Sequence, residues 1–403
     1  MAERTPAGVP TVPGPDPFAG LPPGDGRDRG PLPDEAYAAS LAGLPGMGPA
    51  RLAAVVRVAG PAAAWARVVA GRGWTAPEVL EALGAHRDRL VRRWRDEARR
   101  VEPAAVWHQI VDAGVGAAVQ GSAAYPPALA GDVEPPAVLF HRGSPEAIAG
   151  PRVAVVGTRR CTATGTSVAL ELGRDLAVAG VSVVSGLATG IDGAAHRGVL
   201  AAGGAPPIGV AGSGLDVVYP PGQAALWRAV TETGVLLSEA PLGCRPERWR
   251  FPARNRIIAA LADAVVVVES HRHGGSLHTV DEADRRGVDV LVVPGSVRNP
   301  AAVGTNALLA EGRAPVTCVD DVLVALGLQP AGRRPRRDPR PAPADDDRPV
   351  LDALGWQPVT LDQLVLRSGR HLGSVVLALE RLQDGGWVAA RGGWYERVAG
   401  GDA

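Results

Sequence analysis

The chain contains no lysine, and its 403 residues include only three cysteines. Cys161, Cys244 and Cys318 lie far apart and are odd in number, which fits neither a disulfide framework nor a zinc site. Aromatic residues make up 4 %, and the 42 basic residues, all arginines, are balanced by 42 acidic residues. A chain of zero formal charge has no overall field that would draw it to DNA or to an anionic membrane. Any contact with nucleic acid must therefore be local.

Long apolar runs are also missing. No uninterrupted stretch approaches the ~18 residues that a membrane-spanning helix needs, and the N-terminus lacks the charged-then-apolar order of a signal peptide. We therefore expect a cytoplasmic protein without membrane contact. Because apolar residues make up 46 % and charged residues 21 % of the chain, disorder should be confined to segments.

Composition divides the chain into a core and four flanking regions. Residues 1–33 hold nine prolines and six glycines, which predicts a disordered tail. Residues 34–100 show helical periodicity punctuated by proline and glycine, and predict a small helical domain. Residues 329–349, rich in proline and charge, predict a disordered linker that does not pack. Residues 350–398 predict three helices followed by a hairpin, as in a winged helix.

Residues 101–328 alternate short valine-rich runs with longer segments that contain alanine, leucine and arginine. The runs include residues 153–156, 181–184 and 265–268. Continuous apolar strands separated by helical lengths are typical of a parallel sheet covered on both faces. The sequence thus predicts an α/β protein with a Rossmann-like core, which follows a small helical domain and precedes a segment of three helices and a hairpin.

Four of the predicted strands are followed by glycine-rich segments. They contain Gly157, Thr158, Arg159 and Gly165; Ser185, Gly186, Gly190 and Gly193; Gly212 and Gly214; and Gly274, Gly275 and Ser276. In an open parallel sheet, ligands bind beyond the carboxyl ends of the strands, where unpaired backbone N–H groups favour anions. None of the segments has the dinucleotide spacing G-x-G-x-x-G, and the nucleoside triphosphate loop needs a lysine that the chain lacks. The pattern predicts anion-accepting loops; glycines that serve only tight turns are the alternative.

Residues 245–256 concentrate positive charge, with five arginines and one glutamate. Trp249 and Phe251 interleave with these arginines. Alternating guanidinium and aromatic groups suit single-stranded nucleic acid, because its phosphates attract arginine and its exposed bases stack on rings. A solvated arginine surface, with a tryptophan covering the core, is the alternative that the sequence leaves open.

These segments together resemble the DNA-processing protein A family (DprA, also called Smf). The resemblance runs from about Tyr125 to Gly312 and rests on ordered blocks that include VAVVGTRR, VVSGLATGIDGAAH, SGLDVVYPPG, FPARNRIIAALADAVVVVES and GGSLHT. It implies an extended Rossmann-like parallel-sheet core between a small helical domain, of helix-hairpin-helix or SAM-like type, and a C-terminal winged-helix domain. It further implies that the core binds single-stranded DNA, forms a homodimer and helps to load the RecA recombinase onto incoming DNA during natural transformation, with no cofactor or metal and no enzymatic activity. It implies that the strand is faced by Gly157, Thr158, Arg159, Ser185, Gly186, Gly190, Arg254, Asn255, Arg256, Gly274, Gly275, Ser276 and Thr279.

Three positions depart from the family pattern. Thr189 stands where a lysine or arginine is usual, which removes a cation from the expected site. His278 replaces an apolar residue, and Thr164 replaces an aromatic residue that often precedes the glycine of the first block. We expect either a weaker affinity for DNA or compensation by other arginines.

The flanking regions carry weaker signals. Residues 44–52 resemble a helix-hairpin-helix turn, whose glycines let backbone N–H groups approach a phosphate; a non-binding helical hairpin is the alternative. Residues 86–100 hold seven arginines and three acids on one amphipathic segment, which most often is a solvated surface. The helix predicted at residues 371–386, the candidate recognition helix, offers few donors for base edges. This favours protein contact or weak DNA binding over sequence-specific binding.

Enzymatic interpretations find less support. Ser185, Asp192 and His196 could form a nucleophile, an orienting group and a base, but the nucleophile elbow G-x-S-x-G is missing. His271, His273 and His278 lack the spacing of a metal site. A nucleotide phosphoribohydrolase of the lysine-decarboxylase-like type would need a P-G-G-x-G-T-x-x-E loop, whose glutamate is absent here. A ligand-sensing regulator with a winged helix is a third alternative.

Overall fold

The computed structural model describes residues 31–329, 340–355 and 358–398. Residues 1–30 of the predicted tail and residues 330–339 of the predicted linker lie outside this part of the chain. The chain divides into two compact units between residues 330 and 331. The domain limits given above stay predictions.

In the first unit, five helices begin at a proline, whose fixed φ and missing N–H suit the first helical turn. The helices are α1 (Asp34–Ala42), α2 (Pro49–Ala59), α3 (Pro61–Ala70), α4 (Pro77–Leu83), α5 (Arg87–Ala98), α6 (Pro103–Asp112), α7 (Pro127–Ala130), α8 (Ala163–Val178), α9 (Ile191–Ala202), α10 (Ala224–Thr233), α11 (Arg250–Leu261), α12 (Leu277–Arg286), α13 (Val303–Ala310) and α14 (Val319–Ala325). The strands are β1 (Gly116–Val119), β2 (Val138–Gly143), β3 (Arg152–Val156), β4 (Ser182–Ser185), β5 (Ile208–Ala211), β6 (Val235–Ser238), β7 (Ala264–Val267), β8 (Asp289–Val292) and β9 (Ala314–Pro315).

The nine strands form one sheet in the order β1-β2-β6-β5-β4-β3-β7-β8-β9. The seven strands from β6 to β9 are parallel, whereas β1 and β2 pair antiparallel at one edge. From β3 the chain builds β4, β5 and β6 on one side and then crosses to build β7, β8 and β9 on the other. This reversal is the topological switch point of a doubly wound sheet, and it confirms the predicted Rossmann-like fold.

The parallel strands are buried on both faces, as their continuous apolar runs predict. Ala154 and Val156 of β3 point into a cluster with helices α11 and α12. Val153 and Val155 point to the opposite face, into a cluster with helices α8 and α9. Successive side chains of a strand alternate between faces, so one short run supplies both layers of the core.

The N-terminal helices share their core with the antiparallel edge of the sheet. Trp94 of α5 and Leu41 of α1 belong to the same hydrophobic cluster as Phe140 of β2 and Val230 of α10. Between α1 and α2, Gly46 has a φ of +74° and turns the chain where the helix-hairpin-helix resemblance lies. Residues 31–329 thus share one compact unit.

No single helix in the described residues is both long and apolar enough to span a membrane, although the bent pair formed by α2 and α3 passes the same length and composition test.

The second unit is a small winged helix, as predicted. It contains helices α15 (Arg348–Leu354), α16 (Leu361–Ser368) and α17 (Leu372–Asp384), and strands β10 (Val359–Thr360), β11 (Val388–Arg391) and β12 (Trp394–Arg397). The strands pair antiparallel in the order β10-β12-β11. The core includes Leu354, Leu364 and Leu379, one from each helix.

The prediction that residues 329–349 do not pack is wrong for residues 340–349. The Arg340 guanidinium lies 3.8 Å from the centroid of the Trp387 ring. Asp347 is 2 % exposed and accepts hydrogen bonds from Arg381. These charged side chains have partners in the winged helix, which proline and charge content alone does not reveal.

Candidate nucleic-acid interface

A cavity of about 580 Å³ opens at the carboxyl end of the parallel sheet. The loops after β3 and β7 form two of its walls, and the first turns of α11 and α12 form others. It is lined by Val156, Gly157, Thr158, Arg159, Arg160, Ala188, Asp192, Phe251, Pro252, Arg254, Asn255, Ile258, His271, His273, Gly274, Gly275, Ser276, His278 and Thr279.

The position of the cavity follows from the strand order. The chain leaves β3 toward one side of the sheet and leaves β7 toward the other, so their loops diverge and leave a crevice between them. The Thr158 N–H donates to the Glu269 carbonyl at 2.8 Å and keeps the two loops together at their base. Farther out, Thr158 Oγ1 lies 3.2 Å from His271 Nδ1.

Nine of the thirteen residues that the family resemblance implied line this cavity. They are Gly157, Thr158, Arg159, Arg254, Asn255, Gly274, Gly275, Ser276 and Thr279. These nine come from three segments that are distant in sequence. The other four are Ser185, Gly186, Gly190 and Arg256, which are not among the lining residues.

Arg159 is exposed at the rim, and its guanidinium lies 4.8 Å from the centroid of the Phe251 ring. Phe251 also contacts Tyr219, with ring centroids 5.5 Å apart. The arrangement holds a cation and an aromatic ring side by side at the mouth of the cavity. Phe251 was not among the implied site residues, although its interleaving with arginines was a sequence signal for it.

Arg254 lies at the base of the cavity and is 7 % exposed. Its Nη1 donates to the Val210 carbonyl at 2.5 Å, while its buried Nε has no hydrogen-bond partner among the described residues. Burial lowers the pKa of Arg254 to about 10, and the nearby Asp192 carboxylate opposes that shift. Arg254 therefore remains positively charged at neutral pH and places that charge under the cavity.

The loop after β4 does not offer the bare N–H groups that its glycines predicted. The Gly186 N–H donates to the Asp192 carboxylate at 3.2 Å. Leu187, fully buried, adopts a φ of +57° to make this turn. Burial raises the pKa of Asp192, and the Arg254 guanidinium counteracts the rise. The expected anion-accepting loop is closed by a carboxylate of the protein itself.

The N-terminus of α8 is closed in the same way. Glu269 accepts hydrogen bonds from the Thr162 N–H at 2.8 Å and from the Thr162 hydroxyl at 2.7 Å. A Cβ at Gly165 would collide with the Glu269 carboxylate, so this glycine makes room for it. The prediction that glycine-rich loops accept an anion through free backbone N–H groups is therefore wrong for these two loops, and the arginines carry the available positive charge.

The loop before α12 is open. A Cβ at Gly275 would meet no atom within 4 Å. Asn255 Nδ2 donates to the Gly275 carbonyl at 3.3 Å and Ser276 Oγ donates to Ser270 Oγ at 3.0 Å, which together fix the loop beside α11. Asn255 thus positions the cavity wall.

The structure places Arg256 elsewhere. Its Nη2 lies 2.5 Å from the Glu239 carboxylate, and its Nη1 donates to the Glu134 carbonyl at 2.6 Å. The side chains of Arg256 and Glu239 are 7 % and 11 % exposed. Because its guanidinium binds groups inside the protein, Arg256 does not offer the phosphate-binding group that the family resemblance implied.

Ser185 and Gly190 also have internal roles. The Ser185 hydroxyl donates to the Val155 carbonyl at 2.6 Å, and Asp192 bonds to Gly186, so the serine, aspartate and histidine considered above do not form a chain of hydrogen bonds. Both ring nitrogens of buried His196 lack a partner among the described residues. Gly190 has a φ of +83°, and a Cβ there would collide with the Thr158 carbonyl.

The cavity has a positive balance of formal charge. Its lining contains three arginines and one aspartate, which gives plus two when the histidines are neutral. In the part of the chain that the structure describes, no group of histidine, cysteine, aspartate or glutamate side chains is arranged to hold a metal ion. The charge and the aromatic rim suit an anionic, aromatic ligand.

The fold and the cavity define a Rossmann-like protein that presents arginines and an aromatic ring at the switch point of its sheet and carries a winged helix. Residues 117–327 match the family model of DNA recombination-mediator protein A, and residues 334–393 match the DprA winged helix domain. The chain belongs to the DNA recombination-mediator protein A family.

Relatives cover most of the chain. It is 37 % identical to a Mycobacterium tuberculosis protein described as a candidate DNA processing protein DprA, over 88 % of this chain and 94 % of the relative. It is 35 % identical to Protein Smf of Escherichia coli, over 68 % of this chain and 75 % of the relative. The X-ray structure of DNA processing protein A from Streptococcus pneumoniae matches with a TM-score of 0.61 at 29 % identity, covering 72 % of this chain and 96 % of that one.

Proposed function

We propose that this protein binds single-stranded DNA in the switch-point cavity and acts in DNA processing without catalysing a reaction. Arg159 and Arg160 at the rim and Arg254 below attract phosphates. Phe251 offers a ring on which an unpaired base stacks. The observation that carries the proposal is the open cavity of about 580 Å³ whose lining has a formal charge of plus two in a chain of zero net charge.

Binding through arginines predicts an affinity that is independent of sequence and sensitive to salt. Phosphate contacts release counterions, so affinity falls as the salt concentration rises. A stacking ring accepts every base, because each base has an aromatic face. Duplex DNA hides its base faces, and this favours the single strand at the Phe251 rim.

The family supports a wider role. We infer that the protein forms a homodimer in the cytoplasm and helps to load the RecA recombinase onto incoming single-stranded DNA during natural transformation. Thr189, which removes the cation usual in the family, is exposed beside the cavity loops. Arg160, adjacent to Arg159 in the lining, is the arginine that we propose compensates for it.

A nucleotide phosphoribohydrolase fits the site less well. In a Rossmann-like sheet, a nucleotide phosphate is usually held at the N-terminus of the helix that follows the first parallel strand. Here that helix is α8, and the Glu269 carboxylate occupies its first turn. A phosphate at this place would face a negative charge.

The test is a binding comparison with the purified full-length protein. Fluorescence anisotropy with a labelled oligonucleotide, competed by unlabelled single strand, duplex or RNA of the same sequence, is expected to show that the single strand competes best. Incubation with nucleoside monophosphates is expected to release no free base. Equal competition by duplex, or release of base, would contradict the proposal.

A further inference from the structure

Trp249, the residue before α11, is exposed. Among the tryptophans that the structure describes, only Trp249, at 46 %, and Trp394, at 47 %, are exposed. Leaving a large aromatic surface in water costs hydrophobic free energy. An exposed tryptophan that is also held in place is therefore a candidate for contact with a ligand.

One carboxylate holds both Trp249 and its neighbour. Trp249 Nε1 donates to Glu247 at 2.9 Å, and Arg250 Nε donates to the same carboxylate oxygen at 3.1 Å. The Arg250 guanidinium lies 4.3 Å from the centroid of the Trp249 ring. The ring and the cation are thus arranged before any ligand binds, which lowers the entropy cost of binding.

The surroundings of Trp249 are cationic. Arg245 and Arg248 are exposed on the same segment. Residues 245–250 contain three arginines and one glutamate, a local charge of plus two. A polyanion that reaches this segment meets positive charge and an aromatic surface together.

Trp249 also lies next to the cavity already described. Phe251, two residues along the chain, lines that cavity. Trp249 lines a second cleft, bounded on its other side by Met47, Gly48 and Pro49 of the turn between α1 and α2. Arg254 lines both clefts. The two clefts thus share Arg254, and Trp249 and Phe251 lie two residues apart where α11 begins.

We propose that Trp249, with Arg250 fixed against its ring, is a base-stacking platform for single-stranded DNA that continues out of the cavity toward the turn between α1 and α2. This inference rests on the proposed function and adds a second contact point to it. Stacking on an aromatic ring is tolerant of sequence, since all bases present an aromatic face.

The experiment uses the full-length protein with Trp249→Ala, Trp249→Phe and, as the matched control, Trp394→Ala. Binding of a long oligothymidylate is expected to weaken roughly five- to hundredfold in Trp249→Ala, to recover most of its strength in Trp249→Phe and to remain unchanged in Trp394→Ala. Because Trp249 is uncharged, the salt dependence of Trp249→Ala is expected to equal that of the wild type.

Two further readouts separate stacking from a structural effect. An abasic oligonucleotide of the same length has phosphates but no bases, so it is expected to bind Trp249→Ala and wild type equally. Quenching of tryptophan fluorescence by oligothymidylate is expected to shrink in Trp249→Phe while binding persists. The urea midpoint of Trp249→Ala is expected to match that of Trp394→Ala.

The outcomes distinguish this inference from the proposed function. If Trp249→Ala binds oligothymidylate as tightly as Trp394→Ala while Arg159→Ala is weakened, the platform is wrong and the cavity stands. If Trp249→Ala loses the abasic oligonucleotide equally, the residue acts through structure or charge, which overturns the platform. If the wild type binds no single strand, both proposals fall.

Discussion

In α11, Arg254 and Arg256 are both nearly buried, but they face different environments. Arg254 keeps an unpartnered Nε under the cavity, whereas Arg256 is paired with Glu239. The sequence F-P-A-R-N-R places both arginines beside the sheet, yet it does not reveal that a carboxylate from residue 239 meets only the second. The motif F-P-A-R-N-R therefore contains one arginine that lines the cavity, Arg254, and one that forms an internal ion pair, Arg256.

The Arg256 pair predicts a stability effect. Arg256→Met leaves the Glu239 carboxylate buried without its partner, and we expect a loss of about 3–5 kcal/mol in the free energy of unfolding at pH 7. Burial raises the pKa of Glu239, and Arg256 counteracts the rise. Without Arg256 the pKa of Glu239 in the folded protein rises further, so Glu239 is protonated more readily in the folded state than in the unfolded state. The loss of stability in Arg256→Met is therefore expected to shrink as the pH falls.

Urea unfolding of the variant at several pH values checks this prediction. The matched control is the double variant Glu239→Leu with Arg256→Met, which removes both charges and is expected to recover much of the loss. A deficit below about 1 kcal/mol, as for an exposed ion pair, would contradict the buried pairing.

His196 predicts a separate pH dependence. Burial lowers the pKa of this histidine from 6.5 to about 4. The unfolded chain binds the proton more readily, so the stability that His196 contributes is present above about pH 6.5 and is lost as the pH falls toward 4. The loss amounts to roughly 3 kcal/mol below pH 4, and about 2 kcal/mol of it occurs between pH 7 and pH 5.

The measurement compares urea unfolding of the wild type and His196→Leu between pH 7 and pH 5, where most carboxylates stay ionised. The variant is expected to show a flatter dependence on pH than the wild type. Parallel curves would show that His196 does not titrate as its buried position requires.

At the scale of elements, glycines near the cavity differ in what they do. Gly190, at a φ of +83°, lets the loop after β4 approach the Thr158 carbonyl. We expect Gly190→Ala to lower the free energy of unfolding by about 1–3 kcal/mol, because the alanine would be strained and would push the two loops apart. Gly275→Ala, at an open position that lines the cavity, is the control and is expected to leave stability unchanged.

Thermal unfolding of the two variants measures this difference. Binding of single-stranded DNA by Gly190→Ala is expected to fall together with stability, since the loop that carries Thr158 and Arg159 is displaced. Equal midpoints for Gly190→Ala and Gly275→Ala would show that the loops after β3 and β4 do not depend on this close approach.

The strands and the positions of the loops that follow them could be predicted from the sequence. The side chains that close those loops could not. Valine runs predict β3, β4 and β7 to within a residue of their observed limits. The carboxylate that closes the start of α8 comes from Glu269, 107 residues after the Thr162 that it caps. Local patterns of glycine indicate where the backbone turns, and they contain no information on a side chain that comes from a loop distant in sequence.

At the scale of the whole molecule, the winged helix and the Rossmann-like core were both predictable from periodicity. Periodicity did not predict that the N-terminal helices share one hydrophobic cluster with strand β2. The pattern of an amphipathic helix predicts that its apolar face is buried, but it does not identify the surface against which that face packs. The same holds for the charge, since Arg159, Arg160 and Arg254 line one cavity only after folding.

The central claim is that the switch-point cavity holds phosphates through its arginines. A salt titration of single-stranded DNA binding by Arg159→Ala tests it most directly, with Arg228→Ala, an exposed arginine on α10, as the control. We predict that Arg159→Ala weakens binding of every sequence and reduces the slope of log K against log salt by about 0.7 for each phosphate that the arginine neutralises. An affinity and a slope equal to those of Arg228→Ala and the wild type would contradict the account.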